Sequence, residues 1–302
     1  MIAKKHTLGI LAALIANIIF GFSFIFSKLA LEISEPFVIL SARFTISFIM
    51  LNILLLTGKF KIELKGKPKL KLILMGLMQP LFYFIFELYG LSLVSSALSG
   101  VIIALVPVLV MLLAICFLNE KPSFLQVVCT GLSITGVSLI SVISNDGSKN
   151  YLLGVILLIC AVVCAAFFNI LSRHESKNFS PFERTYMMFL LAAVGFNAIS
   201  FARYRGDYLP KLFDAIKTPE FLIAVFYLAV LSSVVAFLLY NYSTTQISVL
   251  QSASFSNIIT VVTVLAGILI LKEKFGVLEC ILCLLIIFGV WGVNSFTSKN
   301  KK

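Results

Sequence analysis

Residues 8–31 read LGILAALIANIIFGFSFIFSKLAL, and residues 151–173 read YLLGVILLICAVVCAAFFNILSR. Each is an apolar run long enough to cross a bilayer as a helix, which takes about 20 residues at 1.5 Å apiece. The two stretches also match one another. At an offset of 145, Gly9 meets Gly154, Ala16 meets Ala161, Ser27-Lys28 meets Ser172-Arg173, and Pro36-Phe37 meets Pro181-Phe182. A longer loop in the second half then shifts the offset to 153. There Tyr89 meets Tyr242, Ser95 meets Ser248, Ser99 meets Ser252, Asn119-Glu120-Lys121 meets Lys272-Glu273-Lys274, and Gly136 meets Gly289. The chain is therefore two copies of one unit.

Ten apolar runs fall at about 8–31, 36–57, 72–91, 94–117, 124–143, 151–172, 183–201, 221–241, 247–271 and 276–296. Each unit holds five. Five is odd, so the second unit enters the membrane from the side opposite to the first. Inverted repeats are a construction of secondary transporters, which hold substrate near the midplane between the halves. The units run 1–143 and 151–296, with 297–302 as a tail. The expected fold is all-α and polytopic, with ten transmembrane helices in two inverted five-helix repeats.

Composition agrees. Of 302 residues, 60% are hydrophobic and 12% charged, with 28 Phe. A soluble domain carries about 25% charged residues, so this chain lacks the polar shell that a soluble enzyme or nucleic-acid binder needs. Lys4-Lys5 before an apolar run imitates a secretory signal, but the run is too long and nine more follow, so it reads as the first membrane helix. No GxxxxGK[ST] phosphate cradle occurs, which excludes ATP hydrolysis by this chain.

The net charge of +11 is unevenly placed. Lys4, Lys5, the Lys59–Lys71 run, Lys121, Arg173, Lys177, Arg184 and the tail lysines all fall on the side of the termini. The positive-inside rule then puts both termini in the cytoplasm, of a cell-membrane protein. The six cysteines lie within apolar runs, and both histidines, His6 and His174, lie outside them. Cys280 and Cys283 have metal-ligand spacing, but two ligands are too few for a site. Neither a metal nor a cofactor is expected.

A family resemblance rests on several of these residues. The stretch from Ile18 to Ala30, then Pro36-Phe37 and Ala42-Arg43-Phe44, resembles the opening of an EamA-type unit. Leu81-Phe82-Tyr83, Tyr89-Gly90-Leu91 and Ala104-Leu105-Val106-Pro107-Val108 resemble its middle, and Asn119-Glu120-Lys121-Pro122 with Gly136-Val137 its close. Lys272-Glu273-Lys274 and Gly289-Val290 repeat that close in the second unit. The resemblance implies the drug/metabolite transporter superfamily. It further implies alternating access, a cavity lined by spans 1, 3, 4, 6, 8 and 9, and substrates from amino acids to amphipathic metabolites. Met188 stands where the first unit has Arg43, and Thr260 where it has Pro107, so the two units differ at those points.

Charges inside a span need a reason. Glu87, Lys28 and Arg43 sit at comparable depths in spans 3, 1 and 2. They form either an ion network pinning those helices or a site where Glu87 binds a proton or a cationic substrate. Glu279 opens the tenth span, where the helix N-terminus satisfies it. Gln79, Tyr83 and Glu87 follow at i, i+4 and i+8 on one face of span 3. Ser95 and Ser99 share a face of span 4; their counterparts Ser248 and Ser252 lie on span 9 with Gln251 and Ser256. Tyr240 is the counterpart of Glu87, and Asn169 on span 6 that of Phe24. Small polar residues also pack helices together in lipid, so each serine has a structural reading as well. Phe20, Phe24 and Phe168 offer aromatic walls. Pro80 and Pro107 interrupt spans 3 and 4 and are candidate hinges.

The expected function is secondary transport of a small polar or amphipathic metabolite, an amino acid or related compound, by alternating access. Protons are a candidate coupling ion. A lipid flippase is the near alternative. An intramembrane enzyme is the distant one, because HExxH and a complete GxSxG are both absent.

Overall fold

The computed structural model describes residues 2–118, 123–144, 149–247, 252, 255–273 and 276–295. Along the chain run α1 (Ile2–Leu31), α2 (Pro36–Leu56), α3 (Leu70–Leu93), and α4, which is Ser96–Ile103 continued as Val106–Leu118. They are followed by α5 (Phe124–Ile143), α6 (Tyr151–Glu175), α7 (Pro181–Tyr204), α8 (Tyr208–Ile216), α9 (Pro219–Gln246), α10 (Ser256–Leu269) and α11 (Val277–Ser295). Among the described residues there is no strand. Among the described residues, eight helices are long and apolar enough to cross a membrane; Ser256–Leu269 and Val277–Gly292 are apolar but shorter. The outer surface is apolar too, with Leu269, Trp291 and Phe288 all well exposed, as a lipid-facing wall requires. The tail 297–302 and the Asn119–Pro122 signature lie outside the described residues.

Local chemistry sets the helix starts. Pro36, Pro181 and Pro219 open α2, α7 and α9, where a missing N–H costs nothing. Ser123 with Gln126, and Ser180 with Glu183, form capping boxes for α5 and α7. Glu183 does more than cap. Its Oε1 accepts from the Glu63 backbone N–H and from Lys67 Nζ, both at 2.9 Å, which docks the 57–69 loop onto α7.

Helix α8 lies in a stretch expected to be an irregular loop. Its signal was available: Leu209, Leu212, Phe213 and Ile216 repeat at helical spacing, diluted by neighbouring charges. Tyr208 and Ala215 are buried, whereas Leu209, Phe213 and Ile216 are exposed. Lys211 of α8 reaches Glu35 at 2.6 Å and holds its carboxyl below the usual carboxylate range.

The units interlock. α1 packs chiefly on α9 and α10, the third and fourth long helices of the other unit; α6 packs chiefly on α3 and α4. Between them α2 meets α7 and α5 meets α11, each helix facing its own counterpart. The duplication reaches single bonds. Lys28 Nζ donates to the carbonyls of Leu91 (2.9 Å) and Val94 (2.8 Å), and its counterpart Arg173 donates to the carbonyl of Thr244, the counterpart of Leu91, at 2.6 Å. α9 is π-helical over Tyr227–Val235, and the matching stretch of α3, Leu77–Phe82, is kinked at Gln79 next to Pro80. Pro107 follows a break at Ala104 and Leu105 and stands in the first turn of Val106–Leu118.

Candidate functional site

The kink in α3 sets the site. Gln79 leaves helical geometry at φ −146°, ψ 120°, and the helix restarts at Tyr83. This aims Gln79, Tyr83 and Glu87 into a narrow cleft of about 60 Å³. The other walls are Asn17, Phe20, Ser23 and Phe24 of α1; Ile103 and Val106 of α4; Ala165, Phe168 and Asn169 of α6; Phe237 and Tyr240 of α9; and Ser256 and Ile259 of α10. Phe84 completes the α3 wall.

Most of that wall comes in pairs. In the repeat register Phe20 corresponds to Ala165, Ser23 to Phe168, Phe24 to Asn169, Phe84 to Phe237, Glu87 to Tyr240, Ile103 to Ser256, and Val106 to Ile259. Both members of seven repeat-matched pairs line this cleft, which therefore lies between the units. The pairs match in position but differ in chemistry. Glu87, 2% exposed, leaves Oε2 without a hydrogen-bond partner. Opposite it, the Tyr240 hydroxyl donates to Asn169 Oδ1, and Asn169 Nδ2 donates to the Ala165 carbonyl at 2.8 Å. Rings link the two sides. Phe20 meets Phe237 at 5.1 Å and Tyr240 at 6.1 Å between centroids, Phe168 meets both at 6.2 Å, and Tyr83 meets Phe84 at 4.9 Å.

A model of the EamA-like transporter family matches residues 7–142 and again 152–295. The chain belongs to the EamA-like transporter family. Its relatives carry the same kind of description. It is 33% identical to the uncharacterized transporter YcxC of Bacillus subtilis (strain 168), over 100% of this chain and 97% of that one. It is 27% identical to the uncharacterized transporter YetK of the same organism, over 96% and 88%. A solved crystal structure shares the fold at 16% identity, with a TM-score of 0.70 over 97% of this chain and 99% of that chain. This EamA-like chain is thus a multi-pass membrane transporter.

Of the residues singled out in the sequence of this EamA-like transporter, Phe24, Gln79, Tyr83, Glu87, Asn169, Tyr240 and Ser256 line the cleft. Ser99 and Ser252 do not. Ser99 sits in the first turn of α4, fully buried, with its hydroxyl donated to the Ser95 carbonyl at 2.9 Å. Ser252, also buried, hydrogen-bonds Ser243 at 3.0 Å. Gln251 and Ser248 lie outside the described residues. The side chains of Asn17, Ser23 and Phe237 are lining residues that the sequence reading passed over. The register would have supplied Phe237 from Phe84, and Asn17 is a polar interruption of an otherwise apolar run.

Of the two readings of Glu87, Lys28 and Arg43, the ion network finds no direct ion pair among the described residues, although Arg43 and Glu87 stand near enough to feel each other's charge. Lys28 is spent on carbonyls, as above. Arg43, 2% exposed, donates to Ser233 Oγ (2.9 Å) and Ser232 Oγ (3.1 Å), and its guanidinium stands 4.2 Å from the centroid of Phe84. Arg43 therefore backs the cleft wall without entering it. Arg184, counted as a loop cation, is fully buried. Its Nη1 donates to the carbonyl and hydroxyl of Ser172 (both 2.8 Å) and to Thr244 Oγ1 (3.0 Å), and Nη2 donates to the Asn241 carbonyl. Hydroxyls and helix-end carbonyls, not carboxylates, compensate these arginines. Among the described residues no cluster of His, Cys, Asp or Glu could hold a metal.

Proposed function

We propose that this protein is a secondary transporter that moves a small polar or amphipathic metabolite through this cleft by alternating access. Its units, 1–143 and 151–296, are inverted, and both termini lie in the cytoplasm of a cell-membrane protein. The observation that carries the reading is the lining of one cleft by repeat-matched residues of both units, where rocking one against the other exposes the same residues to each side in turn. The α3 kink at Gln79, the π-helical stretch of α9 and the α4 break before Pro107 supply bends on the helices that line the path. An amino acid or a related compound fits the family resemblance. Protons are the candidate coupling ion, with Glu87 as carrier, because a carboxyl in the path that is free of a fixed partner can exchange one.

The experiment is uptake into liposomes under an imposed proton gradient. Glu87→Gln is expected to insert and fold, because the amide keeps the shape and breaks no ion pair. It is also expected to lose about tenfold or more of gradient-driven uptake. Unchanged gradient-driven uptake in this variant would end the coupling role. Orientation is tested separately, in a background without native cysteines. A cysteine at exposed Gly206 is expected to react with an impermeant maleimide in intact cells, while one at exposed Lys65 reacts only after lysis. The opposite labelling pattern reverses the orientation.

A further inference from the structure

The transport reading says that a metabolite occupies the cleft; the chemistry of the wall narrows which one. Glu87 is the one carboxylate among the lining residues, and none of them is Lys, Arg or His. The lining therefore carries one carboxyl and no cationic side chain. Glu87 Oε2 is buried without a partner, and the cation behind the wall, Arg43, is committed to Ser232, Ser233 and the Phe84 ring. An unpartnered carboxyl oxygen in so enclosed a place is completed by a donor that the ligand brings, and a charged N–H donor completes it best.

The rest of the lining offers an anion neutral donors only, the buried and unpartnered Ser256 hydroxyl among them. The single hydroxyl proton of Tyr240 is taken by Asn169, and one of the two Asn169 amide N–H groups donates to Ala165. Asn17 Nδ2 likewise donates to the Ala13 carbonyl at 2.7 Å, and Ser23 Oγ to the Phe20 carbonyl at 2.6 Å. A ligand carboxylate would meet neutral groups only and the repulsion of Glu87. Aromatic rings fill the space between the two ends, and their faces attract cations while their area takes an apolar body. We propose that the cleft selects a monocationic amine with an aromatic or apolar body and no carboxylate. An amino acid, whose ammonium satisfies Glu87, brings a carboxylate that no cation of the lining pairs. This rests on the transport reading for its setting, but the binding preference can be measured without transport.

The test uses three probes that share one ring and differ only in charge: 2-phenylethylamine, phenylalanine and 3-phenylpropanoate. Titration calorimetry on the purified full chain is expected to give the amine a Kd about tenfold or more below that of phenylalanine, with the propanoate weakest. Glu87→Gln is expected to weaken the amine about tenfold or more, erasing its advantage over phenylalanine. Phenylalanine binding as tightly as the amine overturns the assignment, and this comparison needs no variant to fold. Retention of the amine's affinity in a folded Glu87→Gln protein also overturns it. Liposome uptake separates the two readings. Carriage of phenylalanine without the amine leaves transport standing and removes the amine assignment. Tight, Glu87-dependent amine binding by a protein that carries none of the probes supports the site and counts against transport of this class.

Discussion

Glu273→Ala is expected to destabilise the protein by about 2–4 kcal/mol, seen as a lowered melting temperature in detergent. Glu273 follows α10 in the second unit, yet its carboxylate caps α4 of the first. Oε1 accepts from the backbone N–H and hydroxyl of Ser96 at 2.8 Å, and Oε2 accepts from the Ala97 N–H at 2.9 Å. Ser95 takes the next N–H, that of Leu98, at 3.2 Å. Ser96 and Ala97 are fully buried, so truncation strands three donors, two of them backbone N–H groups, at a buried helix N-terminus. Glu273→Gln keeps a carbonyl oxygen and is expected to lose only part of that stability. Melting of the alanine variant at the parental temperature would show that the cap contributes nothing. The repeated Lys272-Glu273-Lys274 signature thereby acquires a physical job, the fastening of one unit to the other.

Gly289→Val is expected to cost about 3 kcal/mol, the upper end for overpacking a close contact. α5 and α11 approach so tightly that a Cβ at Gly289 would collide with Ser133 Oγ and stand 2.8 Å from the Cys129 carbonyl. Its counterpart Gly136 is equally committed, with a Cβ falling 2.6 Å from Ile286 Cγ1. The serine hydroxyl can swing away, but the carbonyl belongs to a helix and cannot. Ser133→Ala combined with Gly289→Val is therefore expected to recover only a fraction of the loss. Gly131 on the same α5 is the internal control. A Cβ there meets nothing within 4 Å, so Gly131→Ala is expected to be neutral or to stabilise by up to about 1 kcal/mol through helix propensity. Equal melting of the Gly289 and Gly131 variants would refute close packing as the reason for the repeated glycine.

The α3 stripe was legible because helical spacing alone puts Gln79, Tyr83 and Glu87 on one face, and the structure aims that face into the cleft. The serine stripe of α4 was misleading for a local reason. Ser95 and Ser99 have the same spacing, but they stand where the helix begins, and there a hydroxyl serves the backbone first. Arg184 was read as a loop charge because it stands within one turn of Pro181, at the edge of an apolar run. Its burial follows from α6 and α9 converging over that turn with carbonyls and hydroxyls turned toward it.

Two things followed from the chain alone. Run length against bilayer thickness made it a membrane protein, and self-similarity at offsets of 145 and 153 made it two equivalent units. Both are properties of spacing along one dimension, which folding does not alter. Partnership was decided only in three dimensions: Arg43 with the serines of α9 and not with Glu87, Lys28 with the carbonyls at the end of α3, Glu273 with the start of α4. In water an apolar stripe marks the inward face of a helix and so announces its neighbours. In lipid the outward face is apolar as well, and hydrophobicity no longer says which side meets protein. Close contact between backbones and the satisfaction of each buried polar group make that choice, and both exist only once the helices have met.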